Sequence, residues 1–115
     1  MPVLTPIAAD IKTHPVESFI EHAGATVDTH LALFPDYMQP GIVRFVVLGI
    51  KPGSFLLALF AGERELAERR ADETNRPLVK QYFDFIESEC PADCHGSSEK
   101  VRAWIERGGL IGRQD

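Results

Sequence analysis

The sequence predicts a mainly α-helical protein, a compact bundle of five or six short helices with an irregular N-terminal arm. Three observations support this fold class: apolar residues recur at helical spacing, prolines and glycines fall where helices would begin and end, and capping residues precede several apolar stretches. The length of 115 residues suits one domain, and 44% hydrophobic with 25% charged residues is an ordinary globular composition.

The chain divides into an arm at residues 1–12, a single helical domain at 13–110 and a polar tail at 111–115. The arm contains two prolines and little periodicity. Pro15 can begin a short helix that ends at Gly24, with one apolar face formed by Val16, Phe19, Ile20 and Ala23. Residues 26–34 also suit a helix, although the Val27-Asp28-Thr29 run would tolerate a strand.

Pro40 is well placed as the first residue of a helix that runs to Leu48 and stops at Gly49. Its three valines prefer strands, so a strand from Ile42 to Leu48 is the alternative. Ser54 then follows the Lys51-Pro52-Gly53 turn as an expected N-cap for a helix over Phe55 to Phe60.

Strong helix formers fill Glu63 to Ala71. A proline deep inside a helix costs about 3 kcal/mol, so a new helix is expected to begin at Thr74 or Asn75, with Pro77 in its first turn. Its apolar stripe is Leu78, Tyr82, Phe85 and Ile86. Cys90-Pro91 ends this helix, and Ser97 is predicted to cap a last helix that stops at Gly108-Gly109, with Val101, Trp104 and Ile105 on its inner face.

The charge and hydropathy of the chain indicate which partners and which compartment to expect. A formal net charge of −5 disfavours nucleic acid, whose binding depends on lysines and arginines that displace counterions. The longest apolar stretches fall far below the roughly 20 residues of a membrane span. Without a recognisable secretory signal at the start of the sequence, the expected compartment is the cytoplasm. Stability is expected to be modest unless a ligand or a second subunit helps, which leaves a homo-oligomer open.

Metal, cofactor and catalytic sites are not expected. Cys90, Cys94 and His95 form a C-x3-C-H cluster, but a closed zinc site needs four ligands, usually in two separated pairs. Two buried thiols beside a loop histidine are the favoured interpretation. Cysteine catalysis by Cys94 lacks a third orienting group, so the sequence predicts a non-enzymatic protein that requires no metal and no cofactor.

Two features could bind an anion. The helix starts at Ser54 and Ser97 offer unpaired backbone amides, although capping of the helix alone is the favoured interpretation of each. Arg69, Arg70 and Arg76 with Asn75 lie at a helix junction and could bind phosphate or carboxylate. The favoured alternative for these arginines is internal pairing with the carboxylates of Glu65, Glu68, Asp72 and Glu73. Trp104 could stack on a base, but core packing is the more usual role on an apolar stripe.

Residues from Met38 onward resemble a small family of uncharacterised proteins from tailed phages, prophages and their bacterial hosts. The resemblance rests on ordered motifs over about two thirds of the chain. These are Gln39-Pro40-Gly41-Ile42 with Arg44-Phe45, Gly49-Ile50-Lys51-Pro52-Gly53-Ser54-Phe55-Leu56, Arg70-Ala71-Asp72 with Asn75-Arg76, Gly96-Ser97-Ser98-Glu99-Lys100 and Ala103-Trp104-Ile105-Glu106-Arg107-Gly108-Gly109-Leu110. It departs at Ser98, where proline is expected at the first helical position. It implies a phage setting and no particular activity.

These observations lead to one functional expectation and one alternative. The expectation is a non-catalytic, phage-type binding protein that sequesters a small anionic nucleotide-like signal, as an anti-defence sponge. Its ligand-binding residues would be Arg44, Ser54, Phe55, Arg69, Arg70, Asn75, Arg76, Ser97, Lys100 and Trp104, with Tyr82 as a further stacking partner. The alternative is a protein-binding inhibitor or adaptor that acts on a host protein through an apolar patch at Phe45, Val46 or Phe60.

Overall fold

The computed structural model of the chain describes residues 30–112, and the prediction of a mainly helical fold is confirmed over this range. The α-helices with both bounds in the range are α1 (Gln39–Val43), α2 (Ser54–Phe60), α3 (Arg64–Arg70), α4 (Val79–Glu89), α5 (Ser98–Arg107) and α6 (Gly109–Gly112). A π-helical segment (Arg44–Leu48) extends α1, and 3-10 turns cover Arg76–Leu78 and Ala92–Cys94. The predicted arm at 1–12, the helix from Pro15 to Gly24, the segment at 26–29 and the end of the tail at 113–115 lie outside the described residues.

The helix predicted from Pro40 to Leu48 is confirmed, and the strand alternative is wrong. Gln39 begins the helix and Pro40 lies in its first turn, where a missing N–H costs nothing. From Arg44 onward the helix widens to π geometry, and it ends at Gly49 with a φ of 69°. Phe45, Val46 and Val47 are fully buried there, so tertiary packing outweighs the preference of valine for strands.

The predicted cap of α2 is wrong in its details. Gly53 is the N-cap, with extended backbone at φ −68° and ψ 174°, and no side chain caps this helix. Ser54 is instead the first helical residue. A chain reversal through Gly62 then joins α2 to α3.

Helix α4 provides the central apolar face, as predicted. It begins at Val79 and not at the predicted Thr74 or Asn75, because residues 76–78 form a tighter 3-10 turn. Pro77 lies in the 3-10 turn that precedes it, and Val79, Tyr82, Phe85 and Ile86 are buried. Phe34 stacks on Tyr82 with ring centroids 4.0 Å apart, while Phe55 meets the same ring edge-on at 5.3 Å. Aromatic pairs of this kind contribute beyond their buried area.

Backbone contacts fix both ends of α5. The Ser97 Oγ caps the helix by accepting from the Lys100 amide at 3.2 Å, which confirms the predicted start. Beside it, the Gly96 amide donates to the Phe60 carbonyl at 2.8 Å. At the other end, a Cβ on Gly109 would lie 2.5 Å from the Gly49 nitrogen, so the two glycines are in direct backbone contact. The predicted stop at Gly108 is confirmed, whereas the short helix α6 that follows was not predicted.

No helix in the described part of the chain is long and apolar enough to cross a membrane.

Candidate functional site

A groove lies between α2 and α5, with the C-terminal turn of α3 at one side. It has a volume of about 380 Å³. This volume falls at the lower end of the range typical of small-molecule sites. The floor of this α2–α5 groove is aliphatic and consists of Leu57, Ala58, Ala61, Val101 and Ile105.

Charged and polar side chains form the rim of the α2–α5 groove. The rim residues are the cations Lys51, Arg70 and Arg102, the carboxylates Glu63 and Glu106, and the hydroxyl of Ser98. Three cations against two carboxylates leave a local charge of +1, in a chain whose formal charge is −5. Among residues 30–112, none of these five charged side chains belongs to an ion pair of 4.0 Å or less. The rim is therefore locally cationic on an acidic protein.

Arg70 is the best-positioned cation of the rim. It lies in the last turn of α3, where a positive charge interacts favourably with the helix dipole. Its Nη1 donates to the Ser54 carbonyl at 3.2 Å, which ties the guanidinium to the start of α2. A guanidinium has five N–H donors, so one bond leaves most of them for a ligand. Ser98, the first residue of α5, lines the same groove.

The other two arginines of the predicted junction lie elsewhere. Arg69 and Arg76 line an open surface depression with Glu65 and Glu68. Arg76 donates from Nη2 to the Ala71 carbonyl at 3.0 Å and from Nε to the Glu68 carbonyl at 3.4 Å, so it satisfies backbone oxygens where α3 ends. The internal ion pairing expected for Arg69, Arg70 and Arg76 is not formed within residues 30–112, where the ion pair of α3 joins Arg64 to Glu68.

Asn75 is a structural residue in this fold and is only 2% exposed. Its Nδ2 donates to Asp72 Oδ1 at 3.0 Å and to the Tyr37 hydroxyl at 3.2 Å, and its Oδ1 accepts from the Tyr82 hydroxyl at 2.5 Å. The Tyr37 hydroxyl donates to Asp72, and this bond raises the pKa of Tyr37 and lowers that of Asp72. Burial raises the pKa of Tyr82 well above its usual range. Both N–H groups of the amide and its oxygen are therefore hydrogen-bonded to other side chains of the fold.

The aromatic residues proposed for stacking lie in the core. Phe55 is 9% exposed, and Tyr82 and Trp104 are each 1% exposed. Trp104 Nε1 donates to the carbonyl oxygens of Phe45 and Val46, both at 3.1 Å. Any ligand in the α2–α5 groove would therefore meet aliphatic side chains, and the stacking roles expected for Phe55, Tyr82 and Trp104 do not fit the fold.

The apolar patch expected for protein binding is also buried. Phe45, Val46 and Phe60 are between 0% and 3% exposed, because the helical segments that carry them pack into the core. The exposed large apolar side chains of residues 30–112 are instead Leu33, Tyr37 and Ile50. Ile50 directly precedes Lys51 of the groove rim.

The remaining predicted contacts do not line the groove; they are Arg44, Ser54, Ser97 and Lys100. Arg44 is half-buried in the π-helical segment. Lys100 is exposed in the first turn of α5, near His95. Partial burial, together with the charge of Lys100, lowers the pKa of His95.

The two cysteines are free thiols in contact with each other. Cys94 is buried and Cys90 half-buried. Their mutual hydrogen bond, together with burial, raises the pKa of the Cys90 thiol, which disfavours the reactive thiolate. Over residues 30–112 no three side chains of histidine, cysteine, aspartate or glutamate converge as metal ligands, and the Cys90, Cys94 and His95 cluster forms no such set.

Sequence reasoning found Arg70 but missed the other charged residues of the rim. Arg102 and Glu106 lie one turn apart on α5, at the edge of the Val101 and Ile105 stripe. That helical spacing was a usable signal. Lys51 and Glu63 precede α2 and α3, and their approach to α5 depends on tertiary packing.

Comparisons of the chain with protein-family models, curated proteins and solved structures find no match.

Proposed function

We propose that this chain is a non-catalytic binding protein that sequesters a small anionic, nucleotide-like molecule in the α2–α5 groove. The observation that carries the proposal is the combination of an aliphatic floor with the three cations Lys51, Arg70 and Arg102. Small-molecule sites are commonly apolar concavities with a few convergent polar groups that set orientation. A ring system would lie on the floor while its phosphate meets the cations.

Two further features support binding without catalysis. The cavity is fixed by backbone contacts at both ends of α5, so little ordering would accompany ligand entry. The lining residues include no histidine or cysteine, the side chains that most often serve as general base or nucleophile. The resemblance to phage-type proteins suggests the setting for such binding, in which removal of a host nucleotide signal would suppress a defence response.

Isothermal titration calorimetry with linear and cyclic mono- and dinucleotides tests the proposal. We expect at least one nucleotide to bind the wild-type protein, and Arg70→Ala to weaken that binding by about tenfold, equivalent to one lost charge-assisted contact. Arg76→Ala and Arg69→Ala are matched controls that remove the same charge outside the groove, and they should retain the wild-type affinity. The absence of heat with every nucleotide, at concentrations up to about millimolar, would overturn the proposal.

A protein-binding inhibitor or adaptor is the second candidate. The observation that favours it is Ile50, a large apolar side chain that is 42% exposed and directly precedes Lys51 of the groove rim in sequence. Under this alternative no nucleotide binds, and Ile50→Asp disrupts a host-protein complex that Leu33→Asp, another exposed apolar position, leaves intact. Loss of the complex in both variants, or in neither, would count against a site at Ile50.

A further inference from the structure

We infer that Glu63 and Glu106 make the α2–α5 groove selective for a compact ligand with one phosphate group and hydrogen-bond donors on its ring or sugar, and against polyphosphates. This inference rests on the proposed function and narrows the ligand class of the same site. It assigns a selecting role to the two carboxylates of the rim, which anion binding by itself does not require.

The charge of the rim limits the charge of the ligand. The three cations and two carboxylates sum to +1, and a phosphate monoester carries about −1.5 to −2 near neutral pH. Among phosphorylated ligands, a monoester therefore comes nearest to the local charge. Each additional phosphate would bring negative charge close to Glu63 and Glu106, and like charges in contact oppose binding.

The size of the groove also favours a monophosphate over a larger ligand. Its volume of about 380 Å³ is near the minimum for small-molecule sites, so one ring system with one anionic group fills it. A dinucleotide would place its second nucleoside outside the aliphatic floor, where it gains little from apolar burial.

The two carboxylates also offer a positive means of recognition. Ionised carboxylates are hydrogen-bond acceptors only, and neither Glu63 nor Glu106 is in an ion pair within residues 30–112. A ligand with an amino group or sugar hydroxyls can donate to them. A simple fatty acid has the negative charge and the apolar body but no such donor, so the groove should discriminate against it.

Calorimetric titration with adenosine monophosphate, adenosine triphosphate and octanoate at fixed ionic strength tests the inference. We expect the monophosphate to bind about tenfold or more tightly than either of the other two ligands. In the Glu63→Gln/Glu106→Gln double variant, triphosphate binding should strengthen by about tenfold while monophosphate binding changes less. Glu65→Gln, which neutralises an exposed carboxylate of α3 outside the groove, is the matched control and should behave as the wild type.

The outcomes separate this inference from the proposed function. Triphosphate or octanoate binding as tight as that of the monophosphate, or an unchanged preference in the double variant, overturns the inference and leaves anion sequestration intact. Binding of a cyclic dinucleotide without monophosphate binding has the same consequence. If no anion binds, both are overturned. Circular dichroism of the double variant and of the two single variants checks that each protein is folded. A lost preference for the monophosphate in a folded variant then reflects the site and not unfolding.

Discussion

Trp104 and Phe45 lie 59 positions apart in the chain and are joined by a 3.1 Å hydrogen bond from the indole N–H to the Phe45 carbonyl. The same N–H also donates to the Val46 carbonyl, so a side chain of α5 is hydrogen-bonded to the backbone of the π-helical segment. π-Helical turns are uncommon and place carbonyl groups where an α-helix would not. The attachment positions α5, and with it one wall of the groove.

Replacement of Trp104 by Phe should destabilise the protein by about 2–4 kcal/mol, because it removes both hydrogen bonds and leaves a cavity. Urea denaturation measures the loss. Amide hydrogen exchange should accelerate at residues 45–49 in this variant. Ile105→Val, a milder change on the same helix, should leave exchange there unchanged; equal acceleration in both variants would refute a specific role for the indole.

The contact between Gly49 and Gly109 predicts a strong effect of a single methyl group. Alanine at Gly109 would place its Cβ 2.5 Å from the Gly49 nitrogen and the Val47 carbonyl oxygen, at a φ of +73°. We expect a loss of more than about 2 kcal/mol in unfolding free energy. Gly53→Ala is the control, since nothing lies within 4 Å of its added Cβ, and it should cost at most about 1 kcal/mol. Similar losses for both variants would contradict the close approach.

Asn75→Ala should lower the free energy of unfolding by about 1–3 kcal/mol, because the buried hydroxyl of Tyr82 loses its acceptor. Thermal and urea unfolding measure the change. Gln81→Ala removes a neighbouring exposed amide and should have an effect within about 0.5 kcal/mol. An Asn75 variant as stable as the wild type would show that the network adds no net stability.

Arg76→Ala should lower stability by at most about 1 kcal/mol, since the guanidinium is exposed and supports the final carbonyls of α3. Chemical denaturation measures this cost, and Arg69→Ala, which has no such hydrogen bonds, should show none. A larger loss in the Arg69 variant would reverse the assigned roles.

His95 should make the protein less stable as the pH falls through about 6.5. Its pKa is lowered in the fold, so the unfolded chain takes up the proton first and the free energy of unfolding declines on acidification. His95→Gln should flatten this decline in a series of denaturation curves. Lys100→Met should raise the pKa of His95 measured by NMR titration, whereas Lys80→Met, a change on α4, should not; an equal response to both would exclude Lys100 as the cause.

Local signals predicted the helices well but could not reveal their packing. Ser97, Gly49 and Pro77 act on backbone groups within a few residues, so the sequence around each one was sufficient. The π-helical turn contacts Trp104, whose indole N–H donates to the Phe45 and Val46 carbonyls from a distant part of the chain, and local signals do not reveal such a contact. The cap of α2 is Gly53, one residue before the predicted Ser54.

The candidate site was harder to predict for the same reason. Arg70 was recognised as an anion-binding residue from its local cluster, but its neighbours on the rim come from three separate parts of the chain. Asn75 was predicted as a ligand contact because it lies among arginines at a helix junction, whereas it is buried and hydrogen-bonded to Asp72, Tyr37 and Tyr82. Polarity in a sequence does not distinguish a binding group from a satisfied core group.

Trp104 is the chain's single tryptophan, which makes the protein its own optical reporter. The indole is enclosed by the core, and the Arg107 guanidinium lies 5.6 Å from its ring centroid. Its neighbours Val101 and Ile105 form part of the groove floor. The tryptophan fluorescence of the folded protein should therefore be blue-shifted, and it should change when a molecule binds against Val101 and Ile105. Ligand binding and unfolding can thus both be followed by intrinsic fluorescence, without a label.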